Sequence, residues 1–125
     1  MAPLLSILTD LVESGEQRPV RFFYGARTRS DLFMQDRIAE LGSHLDDFSF
    51  IPALSGPGIE PDWVGETGFV HDVVDRFLKR ESVQGEADAY ACGPPPMIDA
   101  VLPVLQMNGV ESENMHVDKF TVAIR

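Results

Sequence analysis

Tyr90-Ala91-Cys92-Gly93-Pro94-Pro95-Pro96-Met97 decides how the 125-residue chain is read. The residues leading into it, Ala87 to Ala91, read as a short buried strand, which puts Cys92 at the strand's carboxyl end. The Gly-Pro run then turns the chain into an apolar helix from about Pro95 to Met107. The carboxyl end of a strand is where an open α/β sheet keeps its ligand crevice. A glycine there removes a side chain so that a flat group can approach the backbone. The prolines preset φ and withhold amides in the first helical turn. The stretch therefore predicts a thiol displayed at a crevice.

Downstream, Asn108-Gly109 closes the helix and Met115 to Phe120 is a last strand. Pro103 falls inside the helix and predicts a kink, since an interior proline costs around 3 kcal/mol. Upstream, Val70, Val73, Val74, Phe77 and Leu78 make a helical stripe within 69–78, with Lys79 and Arg80 at the end that favours cations. Residues 55–68 form a Pro/Gly-rich loop ordered around Trp63. Phe48 to Leu54 is a strand, and Pro52 within it cannot donate to a ladder, which predicts an edge position or an early end. Ser30 is read as the cap of a helix with Asp31 in its first turn and Leu32, Met34, Ile38 and Leu41 as its apolar contacts, ending before Gly42. Val20 to Tyr24 is the first strand and ends at Gly25. Leu4, Leu5, Ile7, Leu8, Leu11 and Val12 form the stripe of a first helix that stops at Gly15. Strands alternating with helices predict an α/β fold with a parallel, doubly wound sheet, here of four strands.

The length predicts one domain. Hydrophobic content of 44% with 24% charged residues is that of a soluble globular chain, but 20 acidic against 10 basic residues leave a net charge of -10. Such a surface repels phosphate backbones and anionic lipid, so neither nucleic acid nor membrane is an expected partner. It would suit a basic protein partner, and it also reads as a merely well-solvated surface. A single cysteine makes no intrachain disulfide, and no Cys/His set has the spacing of a zinc or iron-sulfur site, so no metal is expected. A cytoplasmic location fits. The start lacks the basic region of a signal peptide, and the apolar runs are far shorter than the roughly 20 residues that span a bilayer. His44, His71 and His116 are scattered, and Asp46-Asp47 and Asp72 with Asp75 read as solvated faces rather than an acid-base pair.

Cys92-Gly93-Pro94-Pro95 before an apolar helix, with Ala2-Pro3-Leu4-Leu5-Ser6, Tyr24-Gly25-Ala26-Arg27, Trp63-x-Gly65-x-Thr67-Gly68 and Asp118-Lys119-Phe120, resembles a known pattern. It is that of the C-terminal nicotinamide-binding domain of ferredoxin-NADP reductase-like flavoenzymes. Most similar are reductase components of bacterial multicomponent monooxygenases of the methane, propane, phenol or toluene type. The resemblance spans nearly the whole chain, with the motifs in family order. It implies a three-layer α/β fold with a parallel sheet of the ferredoxin reductase nucleotide-binding type. The family's first, central strand and its Gly-rich pyrophosphate loop, which precede helix one, are missing here. Residues 1–125 are thus expected to be a single NAD(P)-binding domain truncated at its N-terminus, with flavin and iron-sulfur domains absent. Two sheet halves without their common neighbour expose backbone groups that need a partner. A homodimer or a borrowed segment is the expected remedy.

The resemblance also implies a function. The chain would bind NADH and position the nicotinamide for hydride transfer to FAD, held by a preceding domain that supplies an oxygenase. Alone it is expected to be inactive. Cys92 matches the thiol beside the nicotinamide C4, where a small polarisable side chain touches the ring without favouring either redox form. Gly93, Pro94 and Pro95 would shape the wall for the nicotinamide half, with Met97 in the same site. Gly25 and Arg27 would meet a phosphate or a base, and Ala2 and Pro3 would lie at the start of helix one where the family holds its cofactor. Ser55 matches a serine that NADP-preferring relatives follow with arginine; here Gly56 follows, which favours NADH over NADPH. Phe120 matches an aromatic that adjoins the flavin ring. Each residue also has a plainer reading: a buried structural cysteine, a generic strand-to-helix turn, a solvated Gly-x-Arg loop, ordinary packing of Phe120. The alternative of another class is a noncatalytic α/β interaction module, its acidic surface binding a partner and its nucleotide crevice vestigial.

Overall fold

Two seven-residue strands rich in aromatic residues, Val20–Ala26 and Phe48–Leu54, pair in the first sheet. The computed structural model describes residues 2–15, 18–82 and 86–119. In chain order the elements are helix α1 (Ala2–Ser14), strand β1 (Val20–Ala26), helix α2 (Gln35–Gly42), strands β2 (Phe48–Leu54) and β3 (Glu66–Thr67), helix α3 (Val70–Arg80), strand β4 (Ala89–Gly93), helix α4 (Pro95–Met107) and strand β5 (Met115–Lys119). Short 3-10 turns stand at Arg29–Asp31 and Ser112–Asn114. The chain divides into two compact units, Leu5–Val70 and residues 1–4 with His71–Arg125.

In the Leu5–Val70 unit, β1 and β2 run parallel in full register from Val20↔Phe48 to Ala26↔Leu54. The alternation of β1 buries Phe22 and Tyr24 on one face. Both rings meet Phe50 at tilted angles, with centroids 6.2 and 6.5 Å apart, the offset geometry that aromatic quadrupoles prefer. Leu8 of α1, Leu32, Ile38 of α2 and Leu54 are fully buried, each contributing about 1.5–3 kcal/mol by leaving water. At Pro52, β2 is paired to β1 at Tyr24, and β3 joins only afterwards, at Ala53↔Glu66 and Leu54↔Thr67. β2 is thus the middle strand of β1-β2-β3 and not the edge that Pro52 predicts, and the proline is accommodated because the second ladder begins only after it. The strand nevertheless runs on to Leu54 instead of ending early.

In the second unit, β4 and β5 run parallel from Ala89↔Met115 to Gly93↔Lys119. A two-stranded sheet is marginal in water. Here α4 packs against both strands, with Ile98 and Val101 buried, and α3 buries Val73, Val74 and Phe77. The Asn108 amide after α4 donates to Asp75 of α3 at 2.9 Å and to the Val104 carbonyl at 2.8 Å. Lys79 holds the other Asp75 oxygen at 2.7 Å.

Three further details differ from the sequence expectation. There are five strands among the described residues, because Glu66-Thr67, too short to show any alternation, lies within the expected loop and is held by main-chain bonds to the end of β2. Ser30 is not the cap of α2. Thr28 takes that role for the 3-10 turn, since Asp31 accepts its N–H at 3.2 Å and its hydroxyl at 3.0 Å, and α2 begins only at Gln35. β4 starts two residues later than expected and runs through Cys92 to Gly93, because the ladder to β5 extends to Lys119. α4 runs from Pro95 through Pro103 to Met107, the bounds the sequence predicts. Among the described residues the strands form two ladders, β1-β2-β3 and β4-β5. No helix among them is long and apolar enough to cross a membrane.

Candidate functional site

Gly25, Arg27 and Ser55 come together at the carboxyl ends of β1 and β2. Ser55 donates its N–H to the Ala26 carbonyl at 2.9 Å, and Gly56 donates its own to the Arg27 carbonyl at 3.0 Å. The two loops are thus zipped by main-chain bonds beyond the ends of their strands. Gly56 makes this approach possible: a Cβ there would lie 2.5 Å from the Arg27 carbonyl oxygen and 2.7 Å from its Cγ. Gly68 donates to the Leu54 carbonyl at 2.8 Å, and Val70 lies against Gly25, where a Cβ would be 2.7 Å from that of Val70. Phe69, between these two anchors, is 61% exposed.

The two arginines of this rim differ. The exposed Arg27 guanidinium makes no hydrogen bond or ion pair among the described residues. Arg29 is fully engaged, bonded to Asp62 at 3.0 Å, 3.6 Å from Glu60, and lying over the Trp63 ring at 5.6 Å. The hydrogen bond to Asp62, then that carboxylate's charge, holds its pKa above the usual arginine value. Trp63 is itself anchored through its indole N–H to the Glu66 carbonyl at 2.9 Å. Arg27 is therefore the cation of this pair that remains available to an anion.

At the other strand end, Cys92 is the fourth residue of β4 and half-buried. It is neither sunk in the core nor fully solvated. Its register partner on β5 is Asp118, which is exposed, and the pair before it is Tyr90↔His116, stacked at 4.9 Å with 21° between the rings. Alternation puts Tyr90, Cys92, His116 and Asp118 on one face. Pro94 precedes α4 in an extended conformation (φ -64°, ψ 154°), and Pro95 opens the helix. The Pro94 carbonyl accepts from Met97 at 3.1 Å and from Ile98 at 3.2 Å. The bare face of Gly93 is not open: a Cβ there would lie 2.3 Å from the Met97 methyl. The space beside the glycine is taken by the far end of the flexible Met97 side chain, while Pro94 is exposed. Ala2 and Pro3 form the start of α1. Phe120 lies outside the described residues.

Sequence reasoning passed over Asp118 and Phe69. Asp118 stands in a quoted motif, but its place beside Cys92 follows only from the β4-β5 register. Phe69 is marked by exposure, which no periodicity reveals. A recess of about 290 Å³ lies where β4 and β5 begin, lined by Glu86, Ala87, Gly109, Glu111, Glu113 and Asn114. Three carboxylates there would repel the phosphates of a dinucleotide.

Known proteins resemble the chain over nearly its whole length. The Oxidoreductase NAD-binding domain family matches residues 1–102. The reductase component of propane 2-monooxygenase from Rhodococcus jostii (strain RHA1) is 50% identical over 97% of this chain, which spans 33% of that relative. The cytochrome P450 reductase GcoB of Amycolatopsis superposes over 97% of this chain and 34% of its own, with a TM-score of 0.80 and 30% identity. The ferredoxin reductase of carbazole 1,9a-dioxygenase covers 83% of this chain and 30% of its own, with a TM-score of 0.65 and 34% identity. The chain spans about a third of the length of these proteins. It has a mixed α/β fold with parallel sheets of the ferredoxin reductase type, and it belongs to the Oxidoreductase NAD-binding domain family.

Proposed function

We propose that the chain is the NADH-binding part of an electron-transfer reductase. It would position the nicotinamide for hydride transfer to FAD held by another domain and thereby supply an oxygenase component. The observation that carries this reading is the placement of Cys92, half-buried at the carboxyl end of β4 beside exposed Pro94 and opposite Asp118. The relatives' names support the oxygenase assignment, and the single cysteine rules out an iron-sulfur cluster held by these 125 residues alone.

Each unit, taken by itself, carries residues with chemistry that would suit part of a dinucleotide. At the rim of the Leu5–Val70 unit, the unpartnered Arg27 guanidinium would pair with a phosphate, and the Ser55 hydroxyl would meet the ribose. The exposed Phe69 ring would give the base a face to stack on. Gly56 leaves no arginine for a 2′-phosphate, which favours NADH over NADPH. At β4, Cys92 would meet the nicotinamide ring edge with a soft contact that favours neither redox state. A bound reduced nicotinamide supplies a hydride from its C4. The Asp118 carboxylate would favour the positive charge that grows on the ring as the hydride departs. Gly93 and Met97 would then act by seating the first turn of α4, not by touching the ring.

Calorimetric titration of the 125-residue chain with NADH tests the reading. Binding that weakens when Cys92 is replaced by Trp supports it. No binding at all favours the noncatalytic interaction module, whose acidic face would be the Glu86, Glu111 and Glu113 end of the second unit. The chain alone is expected to bind without turnover, because FAD is held elsewhere. Self-association through a strand edge is a separate proposal, motivated by the marginal stability of a two-stranded sheet. A compact, stable monomer in sedimentation sinks it.

A further inference from the structure

Arg29 stands two residues beyond Arg27 on the loop that Gly56 zips to the end of β2. A guanidinium in that position is suited to a phosphate dianion, because its planar fork matches two phosphate oxygens. Yet it is turned onto the β2-β3 loop. Asp62 takes it at 3.0 Å, Glu60 stands 3.6 Å away, and the Trp63 ring lies beneath it. One cation against two carboxylates leaves the cluster with a net charge of about -1 at neutral pH. A ribose 2′-hydroxyl approaching this rim meets no charge penalty, whereas a 2′-phosphate of about -2 meets repulsion from the cluster and finds Arg29, the second arginine of the rim, already bound.

We propose that Glu60 and Asp62 set coenzyme selectivity by withholding Arg29, so that the clasp rejects a 2′-phosphorylated dinucleotide as much as the missing arginine at position 56 fails to attract it. The inference rests on the nucleotide-binding reading above. The carboxylates are not required to hold the loop, whose shape is kept by main-chain and indole bonds. Trp63 N–H donates to the Glu60 carbonyl at 3.0 Å, and the Trp63 indole donates to the Glu66 carbonyl at 2.9 Å. Neutralising both side chains reverses the cluster charge from about -1 to about +1 and releases a second cation beside Arg27.

The test is titration of the full chain with NADH and with NADPH at low ionic strength, where exposed charges are least screened. Three variants enter it: Glu60→Gln with Asp62→Asn, the same pair with Arg29→Leu, and Arg29→Leu alone. The double variant is expected to lower the ratio of the NADPH to the NADH dissociation constant at least fivefold, and the added Arg29→Leu, which leaves the cluster neutral, to remove most of that gain. Arg29→Leu alone takes the cluster from about -1 to about -2 and is expected to raise the ratio by added repulsion, and this variant decides the matter if the double variant loses its native circular dichroism. An unchanged ratio in a folded double variant overturns the inference, as does a gain undiminished by loss of Arg29. So does a single Arg29→Leu change that lowers the ratio or leaves it unchanged. An unaltered chain that binds both coenzymes equally refutes the selectivity filter alone, whereas one that binds neither refutes the nucleotide reading and this inference with it.

Discussion

Cys92 and Asp118 face each other across the β4-β5 ladder as direct register partners, the thiol half-buried and the carboxylate exposed. Neighbouring parallel strands lie about 4.8 Å apart, so a unit charge on one is felt at the other by about 1 kcal/mol even in water-like surroundings. The oxidised nicotinamide ring is a cation and the reduced ring is neutral. Asp118→Asn is therefore expected to weaken NAD+ binding about threefold to fivefold while leaving NADH binding nearly unchanged. Equal losses for both coenzymes would assign Asp118 to structure instead.

Gly56 is expected to tolerate no side chain. A Cβ would stand 2.5 Å from the Arg27 carbonyl oxygen, a main-chain atom tied to the same glycine by a 3.0 Å hydrogen bond. Relief requires parting the two loops, at a cost of about 1–3 kcal/mol by analogy with other overpacked sites. Gly56→Ala should lower the urea midpoint with the slope unchanged and weaken NADH together with stability. A fully stable Gly56→Arg variant would show that the loops part freely.

What could be read from the chain beforehand was what local chemistry encodes. Pro95 at the first turn and Asn108-Gly109 at the end give α4 its bounds, and the aromatic run of Val20 to Tyr24 gives β1. Thr28 and Ser30 are both hydroxyls near a helix start, and only the reach of Asp31 back to Thr28 decides between them. β3 has two residues and no periodicity to read. Asp118 lies beside Cys92 through a register that nothing local specifies, and the clasp of Arg29 joins Asp62 across 33 positions. The residues expected to bind were legible as types; their pairing awaited the ladders.

Arg27 is expected to carry the salt dependence of binding. Its guanidinium has no protein partner among the described residues, so a phosphate ligand gains its full charge without displacing a carboxylate. Arg27→Ala should weaken NADH about tenfold, equivalent to roughly 1.4 kcal/mol. It should also flatten the fall in affinity between low and physiological salt. Arg29→Ala, by contrast, is expected to change NADH affinity little. Equal losses at the two positions would remove the distinction drawn between them.

Asp75 ties α3 to the end of α4 and makes that junction sensitive to acid. The hydrogen bond from Lys79, then that from the Asn108 amide, holds its carboxyl below the ordinary 3.8. A carboxyl whose pKa is lower when folded adds stability that is complete above its unfolded value and fades as pH falls through its folded one. Asp75→Asn should therefore unfold at lower urea than the unaltered chain at pH 7, with the gap closing below about pH 4. Asn108→Ala removes the second donor and leaves Lys79, so it should retain part of the same pH dependence. Urea titrations of the three proteins at pH 7 and pH 3 measure this, and a gap that stays constant with pH would place the effect of Asp75 in packing rather than in its charge.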